Sequence, residues 1–456
     1  MEEGRAKEIV LKVGKNVIQA GKNKIWPTEG KQSEKSQQFP RLDEDNLSEL
    51  DATNNDDSKS TQKKTTGSSE NEKGSIHNVY KPIEYVLRFC GIYLFEKMKT
   101  TTHCLHTLYC ACVLILQWFD VVRMLVSVFI ETVSSGSFVS IFTFVIHFMS
   151  TLYTITVALF VFRTHHQNLI TLLNEYFKKH ATNVNFKKTA KRVTVVMTIL
   201  VIVTLSIVIL GIVVSLTNLL PDAAAFTKQF VPNGLYVQTG TVGYVILIIL
   251  IGFARALSTL GTFTIFIYYY LTIFIFWKEY QDIQRQVEGS LKHGNDDVSK
   301  LEENLERLRI RHDDLSRIII KFNDILVHFI SIIYMSASPT SAFLIYGLFN
   351  GQLNVGDASV FVWSLTTNNL QMVIMTVVGA ILNAKAHEPM YHLHRIQILK
   401  ISDKTFQSVS LFLWRLHGPP IGISVWRLFV ISKKTILVIL LAVMAYTAIV
   451  SSSVKK

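Results

Sequence analysis

The chain has 456 residues, of which 49% are hydrophobic and only 18% charged, whereas a soluble domain carries about 25% charge. Long uncharged runs explain the deficit and exclude an ordinary soluble fold, since an apolar run of about 18 residues or more is a candidate membrane span. The net charge of +12 would suit nucleic acid in a soluble protein. Here the basic residues border apolar runs, so anionic lipid headgroups and topology account for it, and no nucleic-acid partner is expected.

Residues 1–78 are rich in Ser, Asp, Asn and Lys, without an apolar h-region near the start. The composition predicts a disordered tail and leaves the first span to act as signal anchor. Residues 79–96 are amphipathic and predict a segment, extending to about 104, along the inner membrane surface. Span 1, about 105–127, is interrupted by Asp120 and Arg123, whose i,i+3 spacing lets them pair on one helix face. His103, Cys104, His106, Cys110 and Cys112 mix soft ligands near its start, but zinc sites show two clear ligand pairs, so no metal is expected. The cysteines all lie before or within span 1 and read as reduced thiols.

Span 2 covers about 138–162 and contains His147; span 3 covers about 195–219. Span 4 runs nearly uncharged from Thr241 to Phe276. As a helix that run would reach roughly 54 Å against a hydrocarbon core of about 30 Å. It must therefore tilt steeply or continue beyond the membrane, and WKEYQDIQRQ follows without a break. Arg255 lies inside this span, and an intramembrane Arg is a functional candidate by default. Arg255 suits either an anionic ligand or a neighbouring carbonyl or carboxylate; Tyr244 and His147 are weaker candidates, since such residues are more often satisfied in the core.

Between spans 4 and 5, Leu301, Leu305, Leu308, Leu315, Ile318 and Ile319 recur at near-helical spacing, with charges on the other face. This predicts a long amphipathic helix feeding span 5, about 325–349, where Pro339 predicts a kink. Span 6, about 359–384, carries Trp363, Thr366, Thr367, Asn368, Asn369 and Gln371 in one half. Consecutive polar side chains in hydrocarbon need partners, which are either neighbouring helices or a hydroxylated ligand stacked on Trp363. HEPMYHLH, with His387, His392 and His394, departs from the zincin pattern because Tyr391 stands at the second His position. No Gly-rich phosphate loop or nucleophile elbow occurs, so neither an enzyme nor a cofactor is expected. Residues 385–434 form a basic gap before the last span, expected on the cytosolic side. Span 7, about 435–453, is apolar and ends in a Ser cluster. Thr447, Val450, Ser451 and Ser452 read either as outer pore residues beyond a dewetting constriction or as the hydrophilic exit of an ordinary span.

Charge fixes the predicted topology. The gap 163–193 contains Arg163, Lys178, Lys179, Lys187, Lys188, Lys191 and Arg192; gap 277–324 holds nine Lys or Arg, and 385–434 holds eight. The alternate gaps 128–137 and 350–358 have none, and 220–240 has only Lys228. The positive-inside rule puts the basic gaps in the cytosol. The expectation is an all-α integral membrane protein with seven spans, a cytosolic N-terminus, an extracellular C-terminus and a helical cytosolic layer. A G-protein-coupled receptor would have the opposite orientation, and a secondary transporter should show two repeated halves.

The layout over residues 79–456 resembles the insect chemoreceptor superfamily, and within it the gustatory receptors. The resemblance rests on FLWRLHGPPIGISVWRLFVISKKTILVILLAVMAYTAIVSSSV, where Phe412, Trp426, Leu428, Phe429 and Tyr446 match recurrent family positions. His312, Leu315 and Asn323 are counterparts before span 5, while Arg427 stands where the family usually has Gly, Ala445 replaces its Thr and Ser452 its Gln. The resemblance implies a tetrameric, tastant-gated cation channel in the plasma membrane of chemosensory neurons. Span 7 would line the pore through Leu440, Met444, Thr447, Val450, Ser451 and Ser452. Segments beyond spans 4 to 7 would form a shared anchor, and a pocket among spans 2 to 6 would take a small-molecule tastant. An odorant receptor is the nearest rival reading.

Overall fold

The computed structural model describes residues 76–92, 104–119, 122, 163–180, 186–217, 242–293, 298–350, 355–394, 402–418 and 420–454. All lie in the unit Thr66–Lys456. The predicted tail to residue 75, the Asp120–Arg123 pair, His103 and His147 fall outside the described residues.

The described elements, in chain order, are α1 (His77–Phe89), α2 (Cys104–Phe119), α3 (Arg163–His180) and α4 (Phe186–Thr217). They continue with α5 (Val242–His293), α6 (Val298–Asn350), α7 (Val355–His387), α8 (Pro389–Leu393) and α9 (Asp403–His417). A two-stranded antiparallel ribbon, β1 (Ser424–Val425) and β2 (Phe429–Val430), precedes α10 (Lys433–Val454). The ribbon is the one described departure from an all-helical chain, placed where the sequence indicates only a short turn.

The long helices follow from their composition. α5 has 52 residues and α6 has 53, so each is about 80 Å long. No bilayer accommodates that length, and the two ends of each helix are correspondingly different. Near the start of α5, Ile246, Ile249, Leu250 and Phe253 are exposed, as lipid-facing side chains would be; from Ile265 to Val287 large side chains such as Tyr268, Tyr269, Phe276 and Tyr280 are completely buried. All six residues of the α6 stripe, Leu301 to Ile319, are buried as their spacing predicts. α6 continues as helix through Pro339. Gly252 allows α4 to approach α5 closely, since a Cβ there would lie 2.8 Å from the Ile212 side chain.

Among the described residues, three helices are long and apolar enough to cross a membrane: Phe186–Leu210, Val245–Leu291 and Asn369–Leu393. The core extends beyond them into a packed layer built from α1, α3, the charged ends of α5 and α6, α8, α9 and the ribbon. α1 has the amphipathicity its sequence predicts, but its apolar face, Val79, Tyr80, Ile83 and Leu87, is packed against α4 and α5 rather than left for lipid.

Candidate functional site

Three polar clusters organise the packed layer. The first begins at Arg311 on α6, whose guanidinium donates to Glu279 at 2.7 Å and to Asp282 at 2.8 Å, both on α5. The Tyr176 hydroxyl of α3 donates to the same Glu279 carboxylate at 3.2 Å. Glu279 is almost fully buried. Burial pushes its carboxyl above the usual range, and Arg311 and Tyr176 hold it back. The cluster ties three helices together where an unpaired charge would cost several kcal/mol.

The second cluster is built on α1. His166 of α3 is buried, with Nε2 3.1 Å from Glu84 of α1 and Nδ1 3.1 Å from the Tyr268 hydroxyl of α5. Burial alone would raise Glu84, but His166, His77 and Arg88 outweigh it and hold the carboxyl below the ordinary value. Beside it, Thr272 donates to the Tyr268 carbonyl at 2.8 Å, so the Tyr80 hydroxyl donates to Thr272 at 2.9 Å.

The third cluster surrounds the approach to α10 and gathers His312, Asn323, Phe412 and Trp426, four of the residues that carried the family resemblance. His312 donates through Nε2 to the Ala386 carbonyl of α7 at 2.9 Å, with its ring against Tyr280 and Phe412. Burial lowers His312 to about 4, so the ring is neutral. Asn323 clamps the ribbon in both directions, its Nδ2 donating to Ser424 Oγ at 2.8 Å and its Oδ1 accepting from the Ser424 amide at 2.7 Å. The Trp426 amide donates to Ser331 Oγ at 2.7 Å. On α7, Asn383 donates to the Ile421 carbonyl, and His387 accepts from the Ile421 amide while donating to the Leu416 carbonyl. The segment entering α10 is thus fastened to α6 and α7 by side chains of both.

The turn of the ribbon explains a sequence departure. Trp426 and Arg427 have φ of 46° and 60°, and the Leu428 amide donates to the Val425 carbonyl at 2.9 Å. Two successive positive φ values favour Gly, Asn or Asp. Arg427 occupies this left-handed position at a cost of about 1 kcal/mol, and its guanidinium reaches Asp324 at 2.6 Å. Trp426, Leu428 and Phe429 project from the turn and are exposed.

The pocket candidates of the membrane half are less gathered. Asn369 is half-buried: its Oδ1 accepts from Ser341 of α6 at 3.1 Å, and its Nδ2 donates to the Leu365 carbonyl at 2.9 Å. Its amide is therefore used between helices. Thr366 is exposed, Gln371 is half-buried, and Arg255 is half-buried and partnered. Trp363, Asn368 and Tyr244 lie on helices whose side chains there fall outside the described ones, as do those of Leu440, Tyr446, Thr447, Val450 and Ser451; Met444 and Ser452 are exposed. Sequence reasoning missed two links in this half: Tyr334 to Thr376 at 2.6 Å, and Tyr269 to the Met375 carbonyl at 3.1 Å. Both join tyrosines to α7, and the only signal in the sequence is a tyrosine hydroxyl within an otherwise apolar run.

Among the described residues no cluster of three His, Cys, Asp or Glu has metal-holding geometry. His106 and Cys110 meet at 3.2 Å, and His392 faces Gln284 rather than its sequence neighbours. A cavity of about 270 Å³ between α3 and α6, lined by Tyr176, Lys179, Asp314, Arg317 and Lys321 among others, carries charges of both signs.

Helices that present apolar side chains outward at one end and pack around buried polar groups at the other define a multi-pass helical membrane protein. The chain belongs to the 7tm chemosensory receptor family, whose model matches residues 81–450. Its fold is similar to that of the insect olfactory receptor OR5 from Machilis hrabei in complex with eugenol, with a TM-score of 0.60 and 14% identity over 83% of this chain and 98% of that one. The structure of the same receptor reported without mention of eugenol gives a TM-score of 0.59 at 14% identity, over 82% and 98% of the two chains. Comparison with curated proteins gives no match.

Proposed function

We propose that this chain is a gustatory receptor: a tastant-gated, non-selective cation channel assembled as a homo- or heterotetramer in the plasma membrane of chemosensory neurons. It is not an enzyme in this reading. The observation that carries it is the fastening of the segment before α10 to both α6 and α7 through Asn323, Ser331, Asn383 and His387. A ligand that shifts α6 or α7 in the membrane has a rigid route to α10. Leu437, Val438, Leu441 and Met444 of α10 are exposed, which suits contact with other subunits or lipid. The pore would be lined by Leu440, Met444, Thr447, Val450, Ser451 and Ser452. The N-terminus lies in the cytosol and the C-terminus outside, so the packed layer is the cytosolic anchor, with 385–434 contributed to it.

The ligand is a small organic molecule. Trp363, Thr366, Asn368, Gln371, Arg255, Tyr244 and His147 remain its candidate contacts, while Asn369 serves chiefly to join α6 and α7. An odorant receptor of the same superfamily is the second reading, supported by the likeness to an olfactory receptor bound to eugenol.

Patch recording from cells expressing this chain, alone and with co-subunits, against separate tastant and odorant panels tests the proposal. Tastant-evoked cation current is expected. Current evoked only by odorants would favour the second reading, and no ligand-evoked current under any co-expression would overturn both.

A further inference from the structure

The start of α4 carries a basic face to which the proposed function assigns no part. One face of this helix is packed against α1 and α5 through Val193, Met197 and Thr204, with Phe186 and Ala190 partly buried. The opposite face begins with Lys187, Lys188, Lys191 and Arg192, all exposed. It continues without interruption into Val195, Val196, Ile199, Ile202 and Val203, which are about half exposed. Steps of three and four residues keep this one stripe on one side of the helix. The apolar part faces lipid, and the cations sit one to two turns before it, about 6–12 Å along the axis. Long basic side chains at that position hold their charge in the headgroup layer. No Asp or Glu occurs between Glu175 and Asp222, so this stretch of chain supplies no counter-charge.

We infer that the first two turns of α4 form a docking surface for anionic phospholipid headgroups. The cations are exposed on the same side of the helix as the apolar stripe, which places their charge at the depth of headgroup phosphates. Each basic residue near an anionic surface contributes about 1 kcal/mol, and clusters of this size immediately outside a span recognise acidic lipids. The inference needs only the membrane reading of α4. It holds whichever ligand opens the receptor.

Purified full-length receptor in neutral detergent is titrated with phosphatidylserine, phosphatidylcholine or inorganic phosphate, and its thermal midpoint is followed by size-exclusion chromatography. A lipid that binds only the folded state raises the midpoint. Phosphatidylserine should raise it by about 3 °C more than phosphatidylcholine, and added salt should abolish the difference. The variant Lys187→Gln/Lys188→Gln/Lys191→Gln/Arg192→Gln should lose it, while Lys187→Arg/Lys188→Arg/Lys191→Arg should keep it. Equal shifts with both lipids, an anionic preference that survives the Gln variant, or an equal response to inorganic phosphate would each overturn the inference. The salt and lipid comparisons on the unaltered receptor decide the matter if the Gln variant does not fold.

Discussion

α4 and α5 are neighbouring apolar helices, yet they solve different problems. Only 17% of the most apolar window of Phe186–Leu210 is packed inside the protein, against 50% for Val245–Leu291. α4 offers its stripe to lipid, whereas α5 changes character along its length. Its first part exposes apolar side chains, and its last part is the spine of a polar-studded layer that five other helices and the ribbon complete. In the membrane half, apolar side chains require no specific partner because lipid serves as well. In the packed layer every buried charge requires one. Specific structure is therefore concentrated where the chain is most charged.

Breaking that layer should produce the largest effect. Arg311→Met leaves Glu279 and the Tyr176 hydroxyl facing an apolar side chain, and removal of one partner from a buried ion pair costs roughly 3–5 kcal/mol. The thermal midpoint should drop steeply, with most surface expression lost. Adding Glu279→Gln should recover a large part, because the uncompensated charge is then gone. If Arg311→Met alone behaved like an exposed Arg317→Met control, the cluster would not hold the layer together.

This cluster also marks where the sequence stops being legible. The stripe Leu301, Leu305, Leu308, Leu315 announces its burial by spacing alone, and so does the overlong α5. Arg311 sits three residues after Leu308 and four before Leu315, on the same stripe, but it reads as part of a charged face. Its burial depends on Glu279, 32 residues earlier on another helix, and such pairing is tertiary information. The ribbon was hidden for a different reason. Strands of two residues are too short for any periodicity, although the motif around Trp426 and Phe429 pointed to the right place. In the membrane half, the polar run at Thr366–Asn369 was visible, but whether it meets a helix or a ligand was not.

The joint before α10 should be sharpened by pH. His312 is lowered to about 4 by burial, against about 6.5 in an unfolded chain. The unfolded state therefore takes up a proton that the folded state resists. The stability this contributes is complete above about pH 6.5 and is lost as pH falls toward 4, by about 1.4 kcal/mol per unit in between. His387, also lowered chiefly by burial, works in the same direction. His312→Gln keeps a donor for the Ala386 carbonyl but cannot titrate. Its midpoint should fall less than that of the unaltered protein between pH 7 and pH 5; parallel curves would show that His312 does not take part.

The smallest effect separates packing from ligand contact in the membrane half. Asn369 spends its amide on Ser341 and the Leu365 carbonyl, so Asn369→Ala removes an interhelical hydrogen bond worth about 0.6–1.7 kcal/mol in a membrane. It should lower the thermal midpoint slightly and leave agonist potency near that of the unaltered receptor. Asn368→Ala, one residue away and therefore about 100° around the helix, should do the reverse if the polar run contacts the ligand. Concentration–response curves paired with midpoints for the two variants make the comparison. A tenfold potency loss in Asn369→Ala at unchanged stability would return Asn369 to the pocket, and unchanged potency in both would remove this run from the ligand site.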